Sequence, residues 1–267
     1  MPTALAKRRP GLAASGPMRE DLSQAGHGIR FEWGPAGAKQ LAPAVSCLVI
    51  VDVLSFTTSV SVAVESGARV FPCPWRDESA TAFAREVDAH LAVGRRAVTA
   101  DSPWSLSPAA LRRAPFTPRL VLPSPNGSAI AASAGAATVA AGSLRNGTAV
   151  GRWLAGQGHG TAERPVGVIA AGERWPDGSL RPAVEDLLGA GAVIAALRAQ
   201  GRTGLSPEAA TAASAFAAAV DVGAAVAGSS SGRELAAGGF AEDVAVATEL
   251  DASTQVPVLR HGAFVPA

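Results

Sequence analysis

From Ile29 onward, short apolar runs alternate with longer segments of helical character. The apolar runs predict strands over 29–33, 46–52, 69–73, 96–100, 119–123, 137–141 and 166–171, with a last short strand at 256–260. The segments between them predict helices over 57–66, 77–92, 127–134, 147–156, 183–200, 207–227 and 231–237. The stretch "EDVAVATELD" (242–251) fits a strand or a helix, because its apolar run is too short to arbitrate. Strands that alternate with helices in this way imply an α/β fold with a largely parallel sheet.

Residues 1–28 break the pattern. They are rich in Gly, Ala, Ser and charge without any period, and read as a disordered tail. Met18 lies inside that tail and is the expected natural start. No internal repeat and no Pro/Gly-rich linker divides residues 29–267, so one domain is expected there. With 267 residues, 48% of them hydrophobic, the chain can bury a large core. A net charge of +1 without a long basic run argues against nucleic acid or an anionic membrane surface as partner.

Lys7, Arg8 and Arg9 are not followed by an apolar segment, which argues against a signal peptide. The alanine-rich stretch 209–228 carries Asp221 and reads as a buried helix rather than a membrane span. Ser206, Pro207 and Glu208 supply its cap, first-turn proline and first-turn acid. The two cysteines, Cys47 and Cys73, have no CxxC or metal-like spacing and read as ordinary buried thiols of a cytoplasmic protein. Association into a homo-oligomer is left open.

Polar residues gather where strands end. In "LVIVDVLSFTTSV" (48–60) an apolar run stops at Asp52, and Ser55, Thr57, Thr58 and Ser59 follow. "LVLPSPNGSAIAAS" (120–133) passes from strand to Ser124, Asn126 and Ser128, then to helix. "TVAAGSLRNGTAVGRWL" (138–154) does the same with Ser143, Arg145, Asn146 and Thr148. In "VGVIAAGERWPDGSLRPAVEDLLGAGAVIAAL" (166–197) the strand leads to Glu173, a turn, and a helix with Glu185 and Asp186 in its first turn.

Ligand crevices in open parallel sheets lie beyond the carboxyl ends of the strands, so these four loops are expected to meet at one edge. Helix N-termini there offer free N–H groups and partial positive charge to an anion. Carboxylates beside an anion site call for a divalent cation such as Mg²⁺, which bridges carboxylate to phosphate; together they point to phosphoryl chemistry. The plainer reading is that Ser, Thr, Asn and Asp cap helices and form turns. Asn126 and Asn146 each precede Gly, and Glu185 and Asp186 stand where acids complement a helix dipole. Asp52 resists that reading, because an acid closing an apolar run is costly unless solvated or liganded.

Several other chemistries are excluded. There is no GxxxxGK[ST] loop and no GxSxG elbow, and "GQGHG" (156–160) follows a helix with the wrong glycine spacing for a dinucleotide. The histidines, His27, His90, His159 and His261, form no metal-binding pair. A haloacid-dehalogenase phosphatase needs a second Asp where this chain has Leu54.

The loops do resemble one known set. "VDVLSFTTSVSVAVESGA" is similar to the DVxRAxTT segment of the 2-phosphosulfolactate phosphatases, "PSPNGSAI" to their TTNGT segment, and "GSLRNGTAVGRWL" to their GSxxNAxAxA segment. "AAGERW" with "AVEDLLGAGAVIAAL" resembles their AGxxG and EDxxxAG block, and "SGRELAAGGFAEDVAVATELDASTQVPVL" their closing pattern. The resemblance runs in consistent order over about residues 29–260. It implies a three-layer α/β/α fold with a mostly parallel mixed sheet. It also implies a Mg²⁺-dependent phosphatase that converts 2-phospho-3-sulfolactate to 3-sulfolactate and phosphate, a step towards coenzyme M. The small phosphorylated or sulfonated substrate would be bound by Thr57, Thr58, Asn126, Gly127, Ser128, Ser143 and Asn146. Asp52, Glu173 and Glu185 would be catalytic, and Asp52, Glu185 and Asp186 would hold the metal. Glu173 is either general base or second metal ligand.

Two departures stand out. Ser55 occupies the place of the family's arginine, so a fixed cation suited to phosphate or sulfonate is missing there; Arg145, Arg174 or Arg181 are candidates to replace it. The family's Gly–Glu and Gly–Asn–Ser–Pro segment is poorly kept in "AVGRRAVTADSPWSLSPAALRR" (92–113). The alternative they motivate is a non-catalytic module that binds a small anion on the same scaffold.

Overall fold

A computed structural model of the chain describes residues 22–267 except 75–76, 134 and 136. The expected start at Met18 and the tail as far as residue 21 lie outside the described residues. The last part of the expected tail belongs to the fold. Ser23 and Gln24 are buried. Gln24 brackets Phe31 by donating to its carbonyl at 2.7 Å and accepting from its N–H at 3.1 Å.

The chain begins with β1 (Ile29–Trp33), α1 (Gly34–Leu41), β2 (Cys47–Val51), α2 (Phe56–Glu65), β3 (Arg69–Cys73), α3 (Glu78–Glu86) and β4 (His90–Leu91). It continues through α4 (Pro108–Arg113), β5 (Arg119–Pro123), α5 (Gly127–Ser133), β6 (Thr138–Gly142), α6 (Gly147–Gly156) and β7 (Val166–Ala170). A small hairpin of β8 (Glu173–Arg174) and β9 (Leu180–Arg181) precedes α7 (Val184–Ala199), α8 (Pro207–Ala218), α9 (Val222–Gly228), α10 (Ser230–Ala237) and α11 (Ala241–Ala247). The chain closes with β10 (Pro257–Arg260) and β11 (Ala263–Pro266).

Nine strands form one mixed sheet in the order β1-β7-β2-β6-β10-β11-β3-β5-β4. β1, β7, β2 and β6 are mutually parallel, as are β3, β5 and β4. The antiparallel β10–β11 hairpin joins the two blocks through the single pairs Val258–Ala140 and Phe264–Val70, and it reverses their direction. Although β5 runs opposite to β2, the turns that follow the two strands meet, since Gly127 N donates to Asp52 Oδ2.

The helices cover both faces, which makes the three-layer α/β/α arrangement. β2 shows why its residues are apolar throughout. Cys47, Val49 and Val51 pack on one side with Leu188 and Val193 of α7, while Leu48 and Ile50 pack on the other with Leu41, Phe56 and Ile130. Burying each such aliphatic side chain stabilises the fold by roughly 1.5–3 kcal/mol relative to exposure.

Three expectations are corrected. The stretch 96–100 is no strand: Arg95–Ala97 form a 3₁₀ turn, Val98 is exposed, and β4 takes the edge position beside β5. The helix expected over 77–92 stops at Glu86, because Asp88 adopts a left-handed φ of 49° and the chain turns into β4. The helix expected over 207–227 is two helices at 103°, because Asp221 caps a new one by accepting from Ala224 N. Among the described residues no single helix is long and apolar enough to cross a membrane. The ambiguous 242–251 stretch is helical over α11.

Candidate active site

The β2–α2 turn is built around the carboxylate of Asp52, which is only 6% exposed. Its Oδ1 accepts from Phe56 N at 3.1 Å, and its Oδ2 accepts from Gly127 N at 3.0 Å. Phe56 opens α2 and Gly127 opens α5, so two helix starts aim free N–H groups at one acid. Residue 127 has to be glycine. A Cβ there would collide with the Phe56 ring and lie 2.9 Å from Asp52 Oδ2. Thr57 Oγ1 donates to Asp52 O at 2.9 Å and accepts from Asp52 N at 3.0 Å, and Thr58 Oγ1 donates to Val53 O at 2.7 Å.

Three more carboxylates gather around Asp52. Asp186 Oδ1 accepts from Val53 N at 2.7 Å and its Oδ2 from Gly172 N at 2.8 Å, so it ties the β2–α2 turn to the end of β7. Glu185 is 2% exposed, and its Oε2 is buried without a hydrogen-bond partner. Glu173, at the start of the small hairpin, accepts at Oε2 from Asn126 Nδ2 at 3.1 Å.

Burial and crowding raise the proton affinity of Glu173, Asp52 and Asp186. Burial, followed by the charge of Asp52, pushes the Glu173 carboxyl up to about 7. Burial raises Asp52 as well, opposed by its two amide donors and by the Arg95 charge. Asp186 is raised well above the ordinary range by burial and then by the charges of Asp52 and Glu185.

Asp52, Ser55, Asn126 and Glu173 line a cavity of about 310 Å³, together with Arg95 and Ser231. Arg95 comes from the turn after β4. Its Nη2 donates to Ser55 Oγ at 2.7 Å and its Nε to Asp243 Oδ2 at 2.8 Å. The cavity therefore sets a guanidinium against a set of carboxylates.

A family model for 2-phosphosulpholactate phosphatase matches residues 36–262, a span that contains every residue of this cavity. The chain belongs to that family. The family is one of phosphatases, so the chain is a phosphoric monoester hydrolase acting on a small phosphorylated substrate. No curated protein matches it.

The fold brings Asp52, Asn126, Gly127, Glu173, Glu185 and Asp186 together from four separate turns. Other residues with which the family resemblance furnished the site lie elsewhere. Ser143 and Asn146 are sealed inside their own turn: Asn146 Oδ1 accepts from Ser143 N and Oγ, and its Nδ2 donates to Ala141 O and Gln255 O. Thr57, Thr58 and Ser128 are buried with hydroxyls committed to backbone carbonyls, so they shape the turns rather than face the cavity.

The candidates for the missing cation are corrected too. Arg145 is buried in ion pairs with Glu65 and Glu249, and Arg174 bonds Gly178 O within its hairpin. Arg181 donates to Ser231 Oγ at 3.2 Å and acts on Glu173 only through space. The guanidinium that reaches Ser55 is Arg95, in the segment where the family pattern is least kept. Its sequence signal is no more than the first of two adjacent arginines after Gly94.

The donor chemistry at the acidic cluster suits a hard dication. All donors are carboxylate oxygens, one of them, Glu185 Oε2, is buried and unpartnered, and the acids repel one another until something neutralises them. Among the described residues no three acidic, histidine or cysteine side chains close on one point. Mg²⁺ is commonly held by one or two carboxylates, with water and substrate oxygens completing the shell.

Proposed function

We propose that the enzyme hydrolyses the phosphomonoester of a small 2-hydroxy acid, of the type of 2-phospho-3-sulfolactate going to 3-sulfolactate and phosphate, with Mg²⁺ as cofactor and in the cytoplasm. One observation carries the reading. Asp52 is locked by two helix-start amides on one wall of the cavity, and Glu173, with its proton held up to about 7, lines the same cavity.

Asp52 and Glu185 would hold the metal, and Asp186 would fix the two turns that carry them. When bound, Mg²⁺ supplies positive charge to the phosphoryl oxygens and makes a bound water more acidic. Glu173 takes the proton of the attacking water as its oxygen bonds to phosphorus, since a base near neutrality is poised for that transfer. The bond from phosphorus to the ester oxygen breaks on the opposite side, the departing alkoxide takes a proton from solvent water, and Glu173 returns its proton to solvent. Asn126 Nδ2 orients Glu173 through the hydrogen bond it already makes. The test is phosphate release from 2-phospho-3-sulfolactate and 2-phospholactate with Mg²⁺ and with EDTA. Release that depends on Mg²⁺ is expected, and no release from either ester would overturn the reading.

A further inference from the structure

Arg95 is held more firmly than a surface arginine. Its Nε and Nη2 are committed to Asp243 and Ser55, and no bond among the described residues uses Nη1. Asp243 cannot swing away. It is 1% exposed, and its Oδ1 accepts from Ser107 Oγ and from Ala109 N at 3.2 Å. The Phe240 ring lies 5.6 Å from the guanidinium carbon and limits it from another side. A guanidinium fixed in this way loses little freedom when it binds a planar or tetrahedral anion.

Its place is equally specific. It bonds the hydroxyl of Ser55, whose short side chain leaves room for a cation from another element. Arg95 and Leu106 also line a second cavity of about 630 Å³, walled by Leu91, Val93, Arg96 and Phe240. A phosphomonoester with its phosphoryl group beside Asp52 shares its cavity with Arg95.

We propose that Arg95 is the specificity-determining residue of this enzyme, restoring from the β4 turn the cation absent at residue 55 and selecting phosphomonoesters whose leaving group carries a carboxylate or sulfonate. This rests on the phosphatase reading above. The test compares 2-phospholactate with isopropyl phosphate, in which a methyl group replaces the carboxylate. Arg95→Gln should lower kcat/KM for 2-phospholactate by about 10–100-fold, mainly through KM, as expected for losing a hydrogen bond to a charged group. The value for isopropyl phosphate should fall by less, because that ester loses only the Arg95 charge beside Asp52 and no hydrogen bond, so the preference for 2-phospholactate should drop by at least about fivefold. An equal fall for both esters would overturn the proposal, because Arg95 would then serve the phosphoryl group or the fold alone.

If Arg95→Gln does not fold, the double variant Arg95→Gln/Asp243→Asn removes the unpaired buried acid and is read in the same way. Binding of 3-sulfolactate, which has no phosphoryl group, separates this proposal from the reaction. It should raise the melting temperature of the wild type and not of the variant, even if no ester is hydrolysed. Equal stabilisation of both would overturn the role of Arg95 and leave the phosphatase reading standing.

Discussion

The β2–α2 and β6–α6 turns lie side by side, on parallel strands with Val51 in register with Gly142. Both pass from an apolar strand through small polar residues into a helix, and both are almost fully buried. They differ in the charge their polar side chains carry. Asn146 closes its bonds on its own turn and on the chain before β10. Asp52 takes one of its two amides from a distant loop, and its charge is left among other carboxylates. Both turns are tied to distant chain, Asp52 to Gly127 and Asn146 to Gln255, so the difference is the charge: an acid set among other acids beside a cavity makes a site, whereas a neutral amide with all its bonds made holds a turn.

The sharpest way to break this contrast is Asp52→Asn. The amide keeps the size of the side chain and removes the charge that would meet metal and phosphoryl group, but its Nδ2 cannot accept, so one of the two amides, Phe56 N or Gly127 N, loses its partner. Activity should fall by about 10²–10³ or more, the scale of losing one well-placed stabilising group. The loss of stability should be the smaller effect, about 1–3 kcal/mol for the one buried N–H left without an acceptor. Phosphate-release kinetics with a thermal melt on the same sample reads both. A variant that keeps full activity would remove Asp52 from the chemistry.

Asn146→Ala should do the reverse. It orphans the buried N–H of Ser143 and the carbonyls of Ala141 and Gln255, at a cost of about 1–3 kcal/mol in stability. Denaturant unfolding should show that loss, while kcat/KM changes by less than about twofold, since the group contributes to stability alone. A specific loss of activity at unchanged stability would return Asn146 to the substrate.

Much of this was legible along the chain, for reasons that differ by element. β2 and β7 are apolar at every position because both faces of the sheet are covered, and such runs read clearly as buried strands. Asp52 stood out along the chain because an acid closing such a run is costly to bury unless it is solvated or liganded, and the structure partners it with the amides of Phe56 and Gly127. The break between α8 and α9 was less so, since alanine continues through it and only Asp221 marks the new cap. Asn146 and Asn126 each precede glycine, and sequence does not tell where an amide finds its partners. Arg95 was hidden for a longer-range reason. Its role depends on Asp243, far along the chain in α11, and on a serine that is short enough to admit it.

The smallest expected effect concerns Glu173 and its pH dependence. Its carboxyl holds a proton up to about 7 in the folded chain, against roughly 4.3 for an unperturbed glutamate. Between those values the folded state binds more protons than the unfolded state, so this group's contribution to stability is full below about pH 4 and is lost as pH rises to about 7. Asp52 and Glu185 face Glu173 and push in that direction, whereas Asn126 and Arg181 oppose them. Partial exposure screens the effect, which leaves on the order of 1 kcal/mol. In metal-free protein, the difference in stability between wild type and Glu173→Gln should change across this window and be flat above it. Adding Mg²⁺ should shrink the change, because a dication near the cluster favours the ionised acid. A difference independent of pH would show that Glu173 is ionised throughout, and would take from it the proton transfer assigned to it.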